Sequence, residues 1–290
     1  MTADDGAFRL GVLEKAMPDG LSPEEKLLEA KNAGFDFVEL NMDADESKIA
    51  MLDWPEEKIA SLLRFGEQAE IRYESVCFSV QRKFPLGTED RHSALEADLL
   101  LKKMIRFAVK TGIRIIQLEG YDCYYDEITN AGTKERFFRN LRTAAGFASM
   151  YGVVLGLETM DSDVMDTVEK IMYYVGEIRS PYLQIYPDVG NMANATDDIC
   201  KDIRSGRGHI VSVHLKETIP GGNLALPYGT GDVDFACAIA ALLEVGVHRF
   251  TAEFWDKGTG DWRQSLVRSH EFLLHQFETA SEIRRETGRN

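Results

Sequence analysis

Four side chains that can bind a metal ion each stand at the end of a short apolar run in this sequence. They are Glu158, Asp188, His214 and Glu253, and the runs that precede them span residues 153–157, 183–186, 210–213 and 250–252. Apolar runs of this length are typical of strands buried on both faces of a parallel sheet. Three carboxylates and one imidazole are a ligand set for a divalent cation such as zinc, manganese, cobalt or magnesium.

A cation also resolves an electrostatic difficulty of this set. Three carboxylates crowded together in a water-poor site repel one another and raise one another's pKa values, and a doubly charged ion removes that repulsion. The alternative for each acid taken singly is an ion pair with a Lys or Arg of a nearby loop. Four ligands on consecutive strands favour the metal. We therefore predict one divalent metal ion, with zinc or manganese first and cobalt or magnesium as alternatives.

The elements that must position these side chains recur at a regular interval. Eight strand-like segments alternate with eight helical segments, and the strands are predicted at 8–13, 35–40, 71–80, 113–118, 153–157, 183–186, 209–215 and 249–254. The helices are predicted at 22–32, 55–68, 89–111, 134–151, 163–178, 195–205, 234–245 and 262–283. Eight such units are the count of a TIM barrel, and an open doubly wound sheet is the alternative. We predict an α/β fold, a single (β/α)8 TIM barrel over residues 1–290. A polar leader at 1–7 and a frayed tail at 284–290 flank it.

In such a barrel the carboxyl ends of all strands meet at one face, where active sites lie. The four candidate ligands stand at the carboxyl ends of strands five to eight, which are neighbours around the barrel. Two loops on the same face, residues 81–88 and 217–233, are longer than the fold requires, and their length indicates a functional role.

The composition excludes several classes of partner. The chain of 290 residues carries 33 Lys and Arg against 48 Asp and Glu, a formal charge of −15. Nucleic acids and anionic membranes are bound by clustered basic residues, so neither is expected as a partner. The N-terminus has no apolar signal segment. The four cysteines are widely spaced (Cys77, Cys123, Cys200 and Cys237), which predicts buried free thiols in a reduced, cytoplasmic protein.

An ordered series of motifs resembles one family across nearly the whole chain. The segments are L-G-V-L-E-K-A from Leu10, G-F-D-F-V-E from Gly34, R-K-F-P-L-G-T-E-D from Arg82, I-R-I-I-Q-L-E-G-Y-D from Ile113, Y-P-D-V-G-N from Tyr186, G-H-I-V-S-V-H-L-K-E-T from Gly208, G-T-G-D-V-D-F from Gly229 and A-E-F-W from Ala252. Together they resemble the L-ribulose-5-phosphate 3-epimerase / L-xylulose-5-phosphate 3-epimerase family, within the xylose isomerase-like TIM barrels.

The resemblance implies an isomerase that interconverts L-xylulose 5-phosphate and L-ribulose 5-phosphate. It implies that Glu158, Asp188, His214 and Glu253 bind the metal and that Glu158 and Glu253 also act as the acid–base pair. Related barrels often form homodimers, so a homodimer is expected by analogy. Gln81 stands where the family segment has a histidine, which bears on the sugar contacts of that loop.

The chemistry of 3-epimerisation fits this assignment. A proton must leave the carbon next to a ketone and return on the opposite face, through an ene-diolate that a metal ion stabilises. Two carboxylates on opposite sides of that carbon can act as base and acid. Glu158 and Glu253, on strands five and eight, are placed to flank the substrate in this way.

A phosphorylated substrate needs a site for its anion in this acidic protein. The basic candidates are Arg82, Lys83 and Lys216, with Lys15 a weaker one, and the backbone amides of Gly229 and Gly231 are further candidates. Glu119 and Asn191 are predicted to contact sugar hydroxyls, and Trp255 to form an aromatic floor. Solvated charge, ion pairing and core packing are the alternatives for these residues.

Other reactions on the same barrel remain open at this point. They are 3-epimerisation of a free ketose, aldose–ketose isomerisation of another sugar or sugar phosphate, and dehydration of a cyclic polyol. A non-catalytic sugar-binding barrel would not need two flanking glutamates. A phosphodiester hydrolase with several metal ions would need more histidines than the six present, in better positions.

Overall fold

Eight parallel strands form a nearly closed barrel in the computed structural model. The structure describes residues 8–124, 127–222, 225–258 and 260–288. The strands are β1 Arg9–Leu13, β2 Phe37–Met42, β3 Tyr73–Phe78, β4 Ile115–Leu118, β5 Val154–Glu158, β6 Leu183–Tyr186, β7 Val213–Lys216 and β8 Arg249–Glu253. The predicted TIM barrel is therefore confirmed, and the open doubly wound sheet is excluded. The predicted leader at 1–7 lies outside the described residues.

Helices connect the strands on the outside of the barrel. They are α1 Pro23–Asn32, α2 Glu46–Met51, α3 Glu56–Ala69, α4 Arg91–Thr111, α5 Ala131–Tyr151, α6 Val168–Ile178, α7 Val189–Ala193, α8 Ile199–Ser205, α9 Phe235–Glu244 and α10 Trp262–Thr287. Short 3₁₀ turns follow β1 at Glu14–Ala16 and β3 at Ser79–Arg82. Among the described helices, none is long and apolar enough to cross a membrane.

The barrel wall is continuous from β6 through β5, β4, β3, β2, β1 and β8 to β7. Between β6 and β7, isolated bridges replace the ladder, at Ile185 with Ile210 and at Asp188 with His214. Backbone hydrogen bonds support this junction, including His214 N to Pro187 O at 2.8 Å. We call the junction the β6–β7 seam.

The ends of the barrel differ in character. At the amino-terminal end, Arg9 donates to Glu74 at 2.7 Å, and Arg249 also pairs with Glu74. Phe37 fills the space above them, against Gly11, where a side chain would overlap the ring. The carboxyl-terminal end carries polar side chains instead, and the described chain buries Glu39, Glu119, Asp188 and His214 there or within the barrel. Ion pairs close one end, and the other end is available for a site.

Several predicted element boundaries need correction. Strand two lies at Phe37–Met42, two residues beyond the predicted 35–40, and the predicted helices at 163–178 and 195–205 begin later, at Val168 and Ile199. The short helices α2 and α7 were not predicted, because each is under two turns and has too few residues for a periodic pattern. Helix α10 continues to Thr287, beyond the predicted end at Ile283.

The prediction of four free thiols was wrong for two of them. The structure joins Cys200 and Cys237 in a disulfide, while Cys77 and Cys123 are free and buried. Cys200 lies in α8 and Cys237 in α9, which pack side by side and bring the two Cα atoms to 6.7 Å. The 37 residues between them in sequence gave no sign of this approach.

Candidate metal centre and substrate cavity

Three of the four predicted ligands meet at one point. Glu158 ends β5, His214 lies in β7 and Glu253 ends β8, and one ligand atom of each lies within 4.8 Å of the others. His214 Nδ1 lies 2.6 Å from Glu158 Oε1 and 3.0 Å from Glu253 Oε2. The barrel thus brings Glu158 together with Glu253, which lies 95 positions later in the sequence.

Asp188 lies beside this group but is not one of the three. It caps α7, and its Oδ1 accepts from Gly190 N at 2.8 Å. Its Oδ2 lies 2.5 Å from Lys216 Nζ. Lys216 in turn donates to Asn191 Oδ1 at 2.6 Å. Asp188 is therefore adjacent to the centre across the β6–β7 seam, with its second oxygen held in an ion pair.

The donor set fits a divalent cation. Glu253 Oε2 is buried and makes no hydrogen bond of normal geometry among the described residues, although His214 Nδ1 lies 3.0 Å from it. Buried carboxylate oxygens without hydrogen bonds are costly. A cation would satisfy such oxygens, and oxygen and imidazole donors are its usual ligands.

The pKa values of the centre reflect its crowded carboxylates. Burial disfavours the imidazolium form of His214, yet Glu39 and Glu253 outweigh it and raise the pKa of His214 well above its usual value. Burial alone would raise the pKa of Glu253, but His214 and Lys216 hold it well below the usual range. The carboxylates thus favour positive charge at this point of the barrel, and a divalent cation supplies such charge.

A cavity of about 330 Å³ opens directly above the centre. Glu158 and Glu253 reach its wall, whereas Asp188 and His214 are fully buried beneath it. Its other lining residues include five predicted substrate contacts, namely Arg82, Glu119, Asn191, Lys216 and Trp255. Two carboxylates of the centre are therefore exposed to a cavity of small-molecule size.

Arg82 and Glu119 form an ion pair on the cavity wall. Arg82 Nε donates to Glu119 Oε1 at 2.8 Å, and the hydroxyl of Tyr121 donates to the other oxygen of Glu119. Burial raises the pKa of Glu119 to about 7, although Arg82 acts in the opposite direction. Gln81 is buried behind this pair and accepts from Glu119 N at 2.9 Å.

Three predicted substrate contacts lie outside the cavity lining. Lys83 is exposed, and its ammonium lies 5.4 Å from the centre of the Phe84 ring. The amide of Gly229 donates to Glu217 Oε2 at 2.9 Å, so Glu217 already uses it. At Gly231 a side chain would overlap the same glutamate. The glycines allow the loop after β7 to fold around Glu217, which explains their presence without a ligand.

One residue of the centre was missed in the sequence. Glu39 of β2 is fully buried, and its Oε1 lies 2.5 Å from His214 Nε2. The predicted ligands are acids that end an apolar run, whereas Glu39 stands inside one. An acid within an otherwise apolar, doubly buried strand is the signal that could have identified it.

Known proteins share this barrel and much of its sequence. Residues 27–275 match the family model described as xylose isomerase-like TIM barrel. The chain belongs to this family. It is 35% identical over 275 residues to L-ribulose-5-phosphate 3-epimerase UlaE of Shigella sonnei strain Ss046, covering 94% of this chain and 96% of the relative. The Escherichia coli O139:H28 strain E24377A protein of the same name is 36% identical, with the same coverage. The predicted family is thus confirmed, and with it the prediction of an isomerase.

The solved structures agree on the fold. A structure of L-ribulose 3-epimerase superposes with a TM-score of 0.81 at 19% sequence identity, covering 97% of this chain and 98% of the other. At that identity the likeness establishes the architecture alone. The family assignment therefore rests on the family model and the two UlaE relatives.

Proposed function

We propose that this protein is a metal-dependent 3-epimerase that interconverts L-xylulose 5-phosphate and L-ribulose 5-phosphate. The observation that carries the proposal is the pair of glutamates, Glu158 and Glu253, exposed to one cavity above a centre that fits a cation. The names of the UlaE relatives support the substrate. A cytoplasmic location and a homodimer stay predictions.

The proposed chemistry assigns a role to each residue of the centre. Glu158, His214, Glu253 and Asp188 would hold one divalent cation, zinc or manganese first, which when bound supplies Lewis-acid stabilisation of the negative charge that develops on the sugar oxygens. Glu253, whose carboxylate reaches the cavity wall, can accept a proton from the carbon next to the ketone. Glu158, in its protonated form, returns a proton on the opposite face, so that Glu253 is protonated and Glu158 ionised after the reaction. The reverse direction starts from that state, and the two residues exchange roles.

Lys216 and Asn191 would orient the sugar beside this pair. Lys216 Nζ is shared between Asp188 and Asn191, and both Lys216 and Asn191 line the cavity. An ammonium and an amide can donate to hydroxyl and carbonyl oxygens of the substrate. Trp255 lines the same cavity and can support the apolar face of the sugar.

The phosphate end of the substrate is assigned to Lys15. Three basic residues line the cavity, and two of them are already paired: Arg82 with Glu119 and Lys216 with Asp188. Lys15 takes part in no ion pair among the described residues, and the adjacent Glu14 is paired with Lys48 and Lys26. An unpaired ammonium in an acidic cavity is suited to a phosphate dianion.

The activity is tested by hydrogen exchange at the reacting carbon. Purified protein loaded with Mn²⁺ is incubated with L-xylulose 5-phosphate in deuterated solvent, and NMR is used to follow both deuterium incorporation and formation of L-ribulose 5-phosphate. Both are expected. Absence of exchange with either pentulose 5-phosphate would refute the proposal, and equal turnover of free L-xylulose would redirect it to a free-ketose 3-epimerase.

The phosphate assignment is tested by a matched pair of lysine variants. Lys15→Met is expected to raise KM for the phosphorylated sugar at least tenfold, the effect of losing about 1.4 kcal/mol of binding, and to leave KM for free L-xylulose unchanged. Lys83→Met is the control, since Lys83 lies outside the cavity lining. Equal effects of the two substitutions would exclude Lys15.

A further inference from the structure

A carboxylate inside the barrel contacts the metal-site histidine on its far side. Glu39 Oε1 lies 2.5 Å from His214 Nε2, while Glu158 and Glu253 lie within 3.0 Å of Nδ1 on the other edge of the ring. The two residues come from β2 and β7 and are 175 positions apart in sequence. The imidazole is therefore held between one carboxylate below and two above.

The orientation of Glu39 is fixed by hydroxyl groups from two further strands. Its Oε2 accepts from Ser75 Oγ at 2.6 Å and from Tyr186 OH at 2.7 Å. Tyr186 OH also lies 3.0 Å from Thr251 Oγ1. Both oxygens of the carboxylate are thereby occupied, and Glu39 cannot rotate away from His214 without breaking these hydrogen bonds.

This arrangement determines which nitrogen of His214 carries hydrogen. An ionised carboxylate only accepts hydrogen bonds, so Nε2 must be the donor in the contact with Glu39. Without a metal ion, Glu158 and Glu253 accept from Nδ1 in the same way, so both nitrogens carry hydrogen. A cation held by these two glutamates would replace the hydrogen on Nδ1, while Glu39 keeps the hydrogen on Nε2 and the neutral ring then offers its lone pair at Nδ1. Nδ1 is the nitrogen that faces Glu158 and Glu253.

We propose that Glu39 is a positioning residue for the metal centre, which holds His214 in the Nε2–H tautomer and directs the Nδ1 lone pair toward a divalent cation. The inference rests on the proposed metal site and is independent of the sugar that the enzyme converts. Carboxylates that accept from the second nitrogen of a ligating histidine fix its ring and increase its basicity.

Stability alone does not account for this residue. Glu39 is fully buried, and no Lys or Arg of the described chain pairs with it. A buried carboxylate with only hydroxyl and imidazole partners is costly to desolvate, and an apolar side chain of similar volume is often as stable or more so. Its position beneath the histidine is explained if the charge serves to orient His214.

Glu39→Gln tests the proposal through metal binding. A glutamine amide can turn its NH₂ toward Nε2, which would move the ring hydrogen to Nδ1 and block the ligand position. We expect the affinity for Mn²⁺, measured by calorimetry, to fall about 10- to 100-fold. The visible absorption spectrum of the Co²⁺-loaded protein, which reports the ligand geometry, should change as well.

The control is Glu74→Gln, which removes a partly buried, ion-paired carboxylate at the opposite end of the barrel. It is expected to change the melting temperature but neither the Mn²⁺ affinity nor the Co²⁺ spectrum. An Mn²⁺ affinity and Co²⁺ spectrum in Glu39→Gln equal to those of Glu74→Gln would overturn the proposal.

Two further measurements keep the proposal testable if Glu39→Gln does not fold. Ser75→Ala and Tyr186→Phe each remove one hydrogen bond to Glu39, and phenylalanine keeps the aromatic ring whose centre lies 4.7 Å from that of His214. Each should weaken Mn²⁺ binding less than Glu39→Gln. In the Zn²⁺-loaded wild-type protein, ¹⁵N NMR of the histidine rings should show hydrogen on Nε2 of His214. Hydrogen on Nδ1, or unchanged Mn²⁺ affinity in both hydroxyl variants, would contradict the assignment.

Discussion

The four residues of the proposed metal site differ in their exposure to the cavity. Asp188 and His214 are fully buried, whereas Glu158 and Glu253 keep small exposed fractions of 5% and 8% at the cavity wall. A group that exchanges protons with a substrate must contact it, and a group that only binds metal need not. The proposed division between metal ligands and acid–base residues thus agrees with their depth in the barrel.

Replacing either cavity glutamate by glutamine should strongly lower kcat. Glu158→Gln and Glu253→Gln are each expected to lower kcat about 10²- to 10⁴-fold at saturating Mn²⁺, because a neutral amide transfers no proton. Steady-state kinetics, with calorimetry to verify metal loading, provide the measurement. Glu127→Gln is the control on the same cavity wall, and its kcat should stay within a few-fold of the wild type. Turnover near the wild-type rate in a metal-loaded Glu158→Gln protein would remove that residue from the mechanism.

The second charged pair on the wall, Arg82 with Glu119, predicts a pH effect on stability. The pKa of Glu119 rises from 4.5 to about 7 on folding, so the folded protein binds the proton more tightly and loses stability as pH rises through this window. Glutamine does not titrate. The difference in unfolding free energy, Glu119→Gln minus wild type, should therefore increase between pH 5 and pH 8 by up to about 3 kcal/mol.

Urea denaturation of the metal-free proteins at several pH values measures this difference. The other acids titrate in both proteins and cancel in the comparison. A difference that stays constant from pH 5 to pH 8 would show that Glu119 is ionised throughout.

Residues that directly follow an apolar run could be predicted as metal ligands from the sequence, whereas the partner of an acid inside such a run could not. Glu158 and Glu253 each follow an apolar run directly, and the order of strands in a barrel is enough to bring them together. Glu39 acquires its role only when β2 closes onto β7 across 175 positions, and no local pattern encodes that contact. The same limit applies to Lys216, which the sequence suggested as a phosphate-binding residue. In the structure its ammonium is already paired with Asp188.

At the scale of elements, close backbone approaches hold the strand ends in register. Gly120 follows β4, and a side chain there would overlap the backbone carbonyl of Glu158 at the end of β5. Gly190 has a similar relation to Lys216 at the end of β7, whose carbonyl oxygen would lie only 2.6 Å from an added Cβ atom. Glycine at these points lets neighbouring loops pass close to the metal centre.

Gly120→Ala should displace Glu158 and weaken metal binding. The added methyl group meets backbone rather than a flexible side chain, so β5 or the loop after β4 must shift. We expect lower Mn²⁺ affinity by calorimetry together with a lower melting temperature. Gly146→Ala is the matched control, since nothing lies within 4 Å of the new methyl group in α5. It should leave the Mn²⁺ affinity unchanged and increase stability by up to about 1 kcal/mol.

Long helices could be predicted from the periodicity of apolar residues. Short helices could not, because they depend on contacts that are not visible in the sequence. Helices α4 and α5 have 21 residues each and lie close to their predicted positions. Helix α7 has five residues and forms because Asp188 caps it within the Y-P-D-V-G-N segment. The predicted metal ligand is thus also the residue that begins a helix, which a pattern search cannot separate from a simple turn.

At the scale of the whole molecule, the acidic charge and the acidic cavity act together. A formal charge of −15 repels phosphorylated sugars at long range, and the cavity wall adds further carboxylates. A bound cation and Lys15 would offset this locally. The overall charge argues against anionic macromolecules as partners. It does not indicate which side chain would bind a small anion such as the phosphate group.

The proposed cation would also stabilise the barrel at the β6–β7 seam. Asp188 stands on one side of the seam and His214 on the other, and they are bridge partners where no continuous ladder exists among the described residues. One ion bound by both would cross-link the two edges of the sheet. Amide exchange of Ile185, Val211 and His214, whose hydrogen bonds span the seam, should therefore slow on Mn²⁺ binding more than exchange within the β1–β2 ladder.

Hydrogen–deuterium exchange with and without Mn²⁺ checks this, and equal protection of both regions would contradict it. Stripped of metal, the barrel would open first along a line that runs through its own active centre. Local opening of the barrel at the seam and loss of the metal site would then occur together. The proposed cation would therefore contribute both to the chemistry and to closure of the barrel.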